Sequence, residues 1–275
     1  MSQTTRRRFR PVRSAHSAVR AGYATMERMP SAENRAEPTD LPRVNDYDVL
    51  AEAYTASNET SLWNAYYERP AMLELAGDVA GRRILDAGCG SGALFAPLRD
   101  RGALVTGFDS SAGMLEQARR RLGDDADLMV ADLGRPLRFA DGAFDDVIAS
   151  LVLHYLEDWG PALAELRRVL KPGGRLIVSV DHPFAIVGLQ RQEGREVDYF
   201  ATYSWTEDWS MGGQTVPMKF WNRPLHAMTD AFTAAGFRIS VISEPDPVPE
   251  ARELFPELAE KPRFLCFLFF VLHAE

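Results

Sequence analysis

An α/β domain organised around a mostly parallel sheet is the fold this sequence predicts, on three observations. Between residues 83 and 181, apolar runs of strand length alternate with segments of helical periodicity, the pattern of a sheet covered on both faces. A glycine-rich turn, "DAGCGSGA" (Asp86–Ala93), follows the first apolar run and opens a helix-like stretch. The chain ends in two strand-like runs joined by a Pro-rich loop with no helix to reverse direction, so the last strand is expected to run antiparallel to its neighbours.

Each element has a local reason. "NDYDVLAEAYTASNETSLWNAYY" (residues 45–67) has the spacing of one or two Tyr-rich amphipathic helices. "RRILDAG" reads as the first strand and "GALFAPLRDRG" as a helix closed by Gly102. "ALVTGFD" is a second strand, and "SAGMLEQARRRLG" is a helix capped by serine and stopped at Gly123. "ADLMVADL" and "AFDDVIASLVLHYL" supply the third and fourth strands. "WGPALAELRRVLKPGG" is a helix ended by Pro172-Gly173-Gly174, and "RLIVSVDHP" is the fifth strand. Residues 181–223 break this rhythm, and eight aromatics fall within residues 181–221, which predicts a lid or substrate-binding insertion. "PLHAMTDAFTAAGF" is a helix, followed by the closing strands "FRISVIS" and "RFLCFLFFVLH". No internal repeat interrupts the scheme.

Composition narrows the partners. With 46% hydrophobic and 25% charged residues the chain reads as an ordinary globular protein, and no window holds eighteen uninterrupted apolar residues, so no membrane span is expected. Residues 1–30 carry seven arginines against Glu27, a formal +6; the net charge of −8 therefore leaves −14 on the remainder. Residues 1–42 are expected to be a disordered basic tail and linker, and residues 43–275 one domain. An acidic body repels a polyanion, so a nucleic-acid partner is not expected. Cys89 and Cys266 form no CxxC pair and fit a reducing cytoplasm, and the working form is expected to be a monomer or homodimer. His154, His182 and His226 have no recognised ligand spacing, so no metal is expected.

The glycine turn holds the chemical signal. Gly88, Gly90 and Gly92 with Ala93 satisfy G-x-G-x-G and also the looser dinucleotide pattern G-x-G-x-x-A. Asp109, ending the second strand, suits a ribose in either case. Asp86 separates the two. A carboxylate beside the turn raises the electrostatic cost of a pyrophosphate, whereas it attracts the ammonium and sulfonium of S-adenosylmethionine.

In these residues the chain resembles the class I S-adenosylmethionine-dependent methyltransferases, in particular their small-molecule, ubiquinone-biosynthesis-like branch. "LDAGCGSG", "GFDSSAGML", "ADL" (Ala131–Leu133), "FDDVIASLVLHYLED" and "LKPGGRLIVSV" match its motifs in order over residues 43–275. The resemblance implies a Rossmann-like, seven-stranded sheet with an antiparallel last strand, helices on both faces, and the aromatic-rich insertion after strand five. It also implies S-adenosylmethionine as cofactor. Asp109 would bind the ribose, Ser110 and Met114 would flank adenine, and Asp132 would meet its amine, with Ala131 and Leu133 beside it. Asp86, Gly88, Cys89, Gly90, Gly92 and Ser150 would line the cofactor, and Tyr47 and Tyr54 would close over its methionine end.

His154, just after the fourth strand, is the candidate catalytic group, as a base or a substrate contact. Tyr155, His182, Trp205, Trp221 and Arg223 are the candidate substrate contacts. The expected reaction is methyl transfer to O, N or C of a small, apolar or aromatic metabolite. A protein or nucleic-acid methyltransferase, or a cofactor-binding scaffold without turnover, is the alternative.

Overall fold

In the computed structural model, residues 43–258 and 263–275 are described, and the expected basic tail lies outside them. The chain begins with helix α1 (Tyr47–Asn58), then a π-helical turn (Asn64–Glu68) that runs into α2 (Arg69–Ala76). Strand β1 (Arg83–Ala87) follows, then α3 (Phe95–Asp100), β2 (Leu104–Asp109), α4 (Ala112–Leu122), β3 (Asp127–Val130) and β4 (Phe144–Ser150). A 3₁₀ turn (Leu153–Tyr155) leads to α5 (Gly160–Val169), β5 (Leu170–Asp181) and α6 (Pro183–Gln192). Strands β6 (Tyr203–Met211) and β7 (Gln214–Asn222) precede α7 (Leu225–Ala234), β8 (Phe237–Ser243), α8 (Pro249–Leu254) and β9 (Phe267–Ala274).

The seven-stranded sheet has the order β3-β2-β1-β4-β5-β9-β8, and β9 alone opposes its neighbours. The antiparallel last strand expected from the sequence is therefore present. The loop before it differs from expectation, because it contains the six-residue α8. That helix is too short to carry a parallel crossover, so the direction of β9 is unaffected. The helix expected to run to Pro172 stops at Val169, and the Lys-Pro-Gly-Gly run instead opens β5, with Gly173 at φ +74°.

Strand alternation sorts the core into two layers. Leu85, Ala87, Val147, Ala149, Val178 and Phe270 pack against α5 and α7 on one face. Ile84, Ile148, Ile177 and Phe269 pack against α2, α3 and α4 on the other. At the N-terminal edge, fully buried Asp146 receives Arg82 and, at 2.7 and 2.8 Å, a bidentate pair from Arg175. These bonds tie β1, β4 and β5 together at the end remote from the crevice.

Chain order reverses between β1 and β4, so their C-terminal ends part to leave a crevice. Two elements cover it. Helix α1 docks on the start of α4, where Asp48 Oδ1 accepts from Ser111 Oγ (2.6 Å) and Gly113 N (2.7 Å). Strands β6 and β7 form a separate hairpin closed by Gly212-Gly213, both at positive φ, as a two-residue type I′ turn requires. Val216, Met218 and Phe220 of that hairpin bury against Leu50 of α1. Among the described residues, no helix is long and apolar enough to cross a membrane.

Candidate active site

The crevice is a cavity of about 1250 Å³ under α1 and the hairpin tip. A single-ligand pocket occupies roughly 300–1,000 Å³, so two molecules fit here. Its floor begins at Asp86, the penultimate residue of β1, just before the turn. The carboxyl is 1% exposed and its Oδ2 has no hydrogen-bond partner. Burial, then the charges of Asp109 and Glu68, push its pKa up to about 7. An uncompensated acid so deep in the fold is costly unless a cation arrives from outside.

The turn after it needs its glycines for two different reasons. Gly88 has φ +74°, and a Cβ there would lie 2.8 Å from Val152 Cγ2. Gly88 N and Cys89 N both donate to Phe108 O at 2.9 Å, which folds the turn back on β2. Gly92 is different: its missing Cβ would sit 2.8 Å from Leu122 Cδ1, so it permits packing on α4 and does not face the cavity. Asp109, at the end of β2, accepts from Gly90 N and Ser111 N, each at 2.9 Å. Its pKa is raised by burial, against the lowering effect of these N–H donors. Ser110, Met114, Ala131, Asp132 and Leu133 continue the wall from there. Asp132 Oδ1 also caps its own turn by accepting from Gly134 N (2.8 Å). Cys89 lines the floor as a buried thiol whose pKa is pushed up by burial.

At the other end stand His154, Tyr155, Asp181, Tyr47, Tyr54 and Trp209. Tyr47 and Tyr155 share a 2.5 Å hydroxyl hydrogen bond, and Tyr54 stacks on Trp209 with ring centroids 6.0 Å apart. Burial lifts both Tyr47 and Tyr155 well above the usual phenol range and Tyr54 to about 12, so all three stay neutral. His154 is buried edge-on to Tyr155 and Phe220, and neither ring nitrogen makes a hydrogen bond. Burial drives its pKa down to about 3, so the imidazole is neutral at pH 7. Asp181 Oδ2 lies 3.4 Å from its Nδ1.

Four expected substrate contacts stand outside the cavity wall, each with a different partner. His182 caps α6, with Nδ1 accepting from Phe184 N (3.2 Å) and Nε2 bonded to Glu244 (2.7 Å). Trp205 stacks on Phe220, and Trp221 lies under Lys219 Nζ. Arg223 lies over Trp159 and donates to Glu157 O (2.5 Å). Asp181, one residue before His182, lines the cavity instead, because successive side chains at a strand end face opposite ways and only one faces the crevice. The insertion presents Trp209 to the cavity in place of Trp205 and Trp221.

Two wall residues escaped the sequence reading. Glu68 is 3% exposed, accepts from Ser150 Oγ and Ser179 Oγ (both 2.6 Å), and has a pKa raised by burial. Arg69 donates to Asn58 O and Oδ1 at 3.2 and 2.8 Å, its pKa lowered by burial. Glu68 ends the π-helical turn and Arg69 follows it, and the turn's extra residue rotates the helix face in a way that 3.6-residue periodicity does not anticipate. Among the described residues no group of three or more His, Cys, Asp or Glu is placed to hold a metal.

Residues 85–178, the strands and turns that build this floor, match the family model described as a methyltransferase domain. The chain is 37% identical over 139 residues to a demethylmenaquinone methyltransferase of Renibacterium salmoninarum, covering 50% of this chain and 58% of that protein. It is 41% identical over 134 residues to the one from Clavibacter sepedonicus, covering 48% and 55%. The chain thus spans little more than half the length of these curated relatives. The crystal structure of an S-adenosylmethionine-dependent methyltransferase from Mesorhizobium loti superposes with a TM-score of 0.59 at 28% identity, covering 74% of this chain and 96% of that one. The two chains therefore share a fold.

Proposed function

We propose that this protein is an S-adenosylmethionine-dependent methyltransferase acting on a small apolar or aromatic molecule. The observation that carries the reading is Asp86, a buried carboxylate with an unpartnered oxygen at the mouth of a glycine turn. The residues fit the cofactor. Asp86 would hold its ammonium, Asp109 has lone pairs left for ribose hydroxyls, and Ala131, Leu133 and Met114 offer apolar surface to adenine. Arg69 and Glu68 extend the polar wall on the methionine side. When bound, the cofactor supplies a methyl group on a sulfonium with a neutral sulfide as leaving group. The protein's contribution is alignment: β4, β5 and the 3₁₀ turn fix His154 and Asp181, while α1 and the hairpin tip exclude water. Orientation of this kind contributes roughly 7–11 kcal/mol to a bimolecular reaction.

Residues 43–275 read as a single methyltransferase unit, with residues 181–223 as its substrate-covering insertion. The two buried free cysteines support a cytoplasmic setting, and the formal −14 outside the basic tail argues against a nucleic-acid acceptor. A monomer or homodimer is the form we assign. Calorimetry with S-adenosylhomocysteine and, separately, a nicotinamide dinucleotide tests the reading. Binding of the first and not the second is expected, together with transfer of labelled methyl groups to a small-molecule library. Tight binding of the dinucleotide with no heat from S-adenosylhomocysteine refutes it.

A further inference from the structure

The acceptor end of the cavity has a chemical bias that narrows the substrate class, an inference that rests on the methyltransferase reading above. Asp181 and Asp208 line this end, and the one arginine among the described residues of the cavity wall, Arg69, stands on the methionine side with its guanidinium engaged by Asn58. The excess of acids alone would say little. The second observation is His154: 5% exposed, on the cavity wall, with Nε2 unpartnered. Because Asp181 Oδ2 lies 3.4 Å from Nδ1, we assign the ring proton to Nδ1, which leaves Nε2 as a lone pair. Around it stand Tyr47, Tyr54, Tyr155, Trp209 and Phe220, in edge or stacked contact with one another, whose faces are electron-rich. Carboxylate, imidazole lone pair and aromatic faces are all acceptors. A ligand that brings donors and positive charge complements them.

We propose that the methyl acceptor is a basic amine on an apolar or aromatic body, its ammonium held by Asp181 and the aromatic wall, with His154 Nε2 as a neutral hydrogen-bond acceptor toward it. The ammonium releases one proton to water, which frees the nitrogen lone pair. That pair forms the N–C bond as the C–S bond breaks, and the bond electrons stay on sulfur in a neutral thioether. The product is a methylated ammonium, which keeps the charge that Asp181 faces. Asp181 is a positioning and charge-binding residue in this scheme.

The test uses the full chain saturated with S-adenosylhomocysteine and three probes of one shape: 2-phenylethylamine, 2-phenylethanol and phenylacetate. The amine is expected to bind at least about tenfold more tightly than either of the others, the margin of a charge-assisted contact. Asp181→Asn is expected to erase that margin and leave S-adenosylhomocysteine affinity within about twofold, since the analogue's ammonium is met by Asp86 and its ribose by Asp109. Mass spectrometry with S-adenosylmethionine should place the new methyl on nitrogen. Equal or weaker binding of the amine, or no binding of any probe to the loaded protein, overturns the amine assignment. Failure of S-adenosylhomocysteine itself to bind overturns the methyltransferase reading instead. The wild-type comparison decides the question even if the variant does not fold.

Discussion

Replacing Asp86 by asparagine removes a charge but keeps the shape of the side chain, and the structure fixes the consequences in opposite directions for stability and binding. In the free protein the carboxyl is 1% exposed, Oδ2 has no partner, and its pKa is about 7 against an ordinary 3.8. The folded value is the higher one, so the native state binds the proton more tightly than the unfolded chain does. Stability from this group is therefore fully present below about pH 3.8, declines as pH rises, and is lost once pH passes about 7. The accumulated cost above pH 7 is on the order of 4 kcal/mol, at about 1.36 kcal/mol per pH unit. Asparagine abolishes it but buries an amide that needs donors satisfied, an offset of about 1–3 kcal/mol. Urea denaturation without ligand should then show Asp86→Asn more stable than wild type by about 1–3 kcal/mol at pH 8, with the gain vanishing near pH 5. Calorimetry should show S-adenosylhomocysteine binding weakened about 10–100-fold, the value of a lost charge-assisted bond. A variant that is less stable than wild type at pH 8, or that gains equally at pH 5 and 8, refutes the argument that this acid is held unpaired for a cationic ligand.

The same linkage makes cofactor binding pH-dependent: because Asp86 must ionise to meet an ammonium, S-adenosylhomocysteine affinity should be flat above about pH 7 and fall up to about tenfold per unit below it, with Asp86→Asn abolishing the slope in calorimetry. Gly88→Ala places a Cβ 2.8 Å from Val152 Cγ2 at φ +74°, so it should cost about 1–3 kcal/mol in denaturation and weaken the cofactor analogue at least about tenfold. Asp146→Ala strands two arginines at the remote end of the sheet and should cost about 3–5 kcal/mol, read as a lowered urea midpoint, while kcat per folded molecule stays at the wild-type level. Gly212→Ala disturbs the hairpin turn, where φ is +57° and a Cβ would lie 3.0 Å from Ala53 Cβ, and should raise KM for the acceptor more than it lowers kcat.

The central sheet was legible because its physics is local. An apolar run of strand length before a glycine turn, serine before α4 and glycine after it are short-range choices that any tertiary context must respect, and Ser111 Oγ does accept from Met114 N (3.0 Å). Gly212-Gly213 between alternating residues was a hairpin signal of the same local kind, although the aromatic content of the segment concealed it. The acceptor end was less legible. Whether Trp205 or Trp209 meets the cavity depends on the twist of a hairpin seated on α1, and whether Glu68 turns inward depends on one extra residue in a π-helical turn.

Residue order by itself determined the parallel sheet, the reversed last strand and the two acids, Asp86 and Asp109, that follow from strand ends and turn chemistry. Tertiary structure alone decided that His154 lies beside Asp181, that Glu68 is bound by serines of β4 and β5, and that His182 and Arg223 are occupied elsewhere. The division is physical. Backbone preferences act over a few residues, whereas the burial and partnering of a side chain are set by whichever distant segment packs against it.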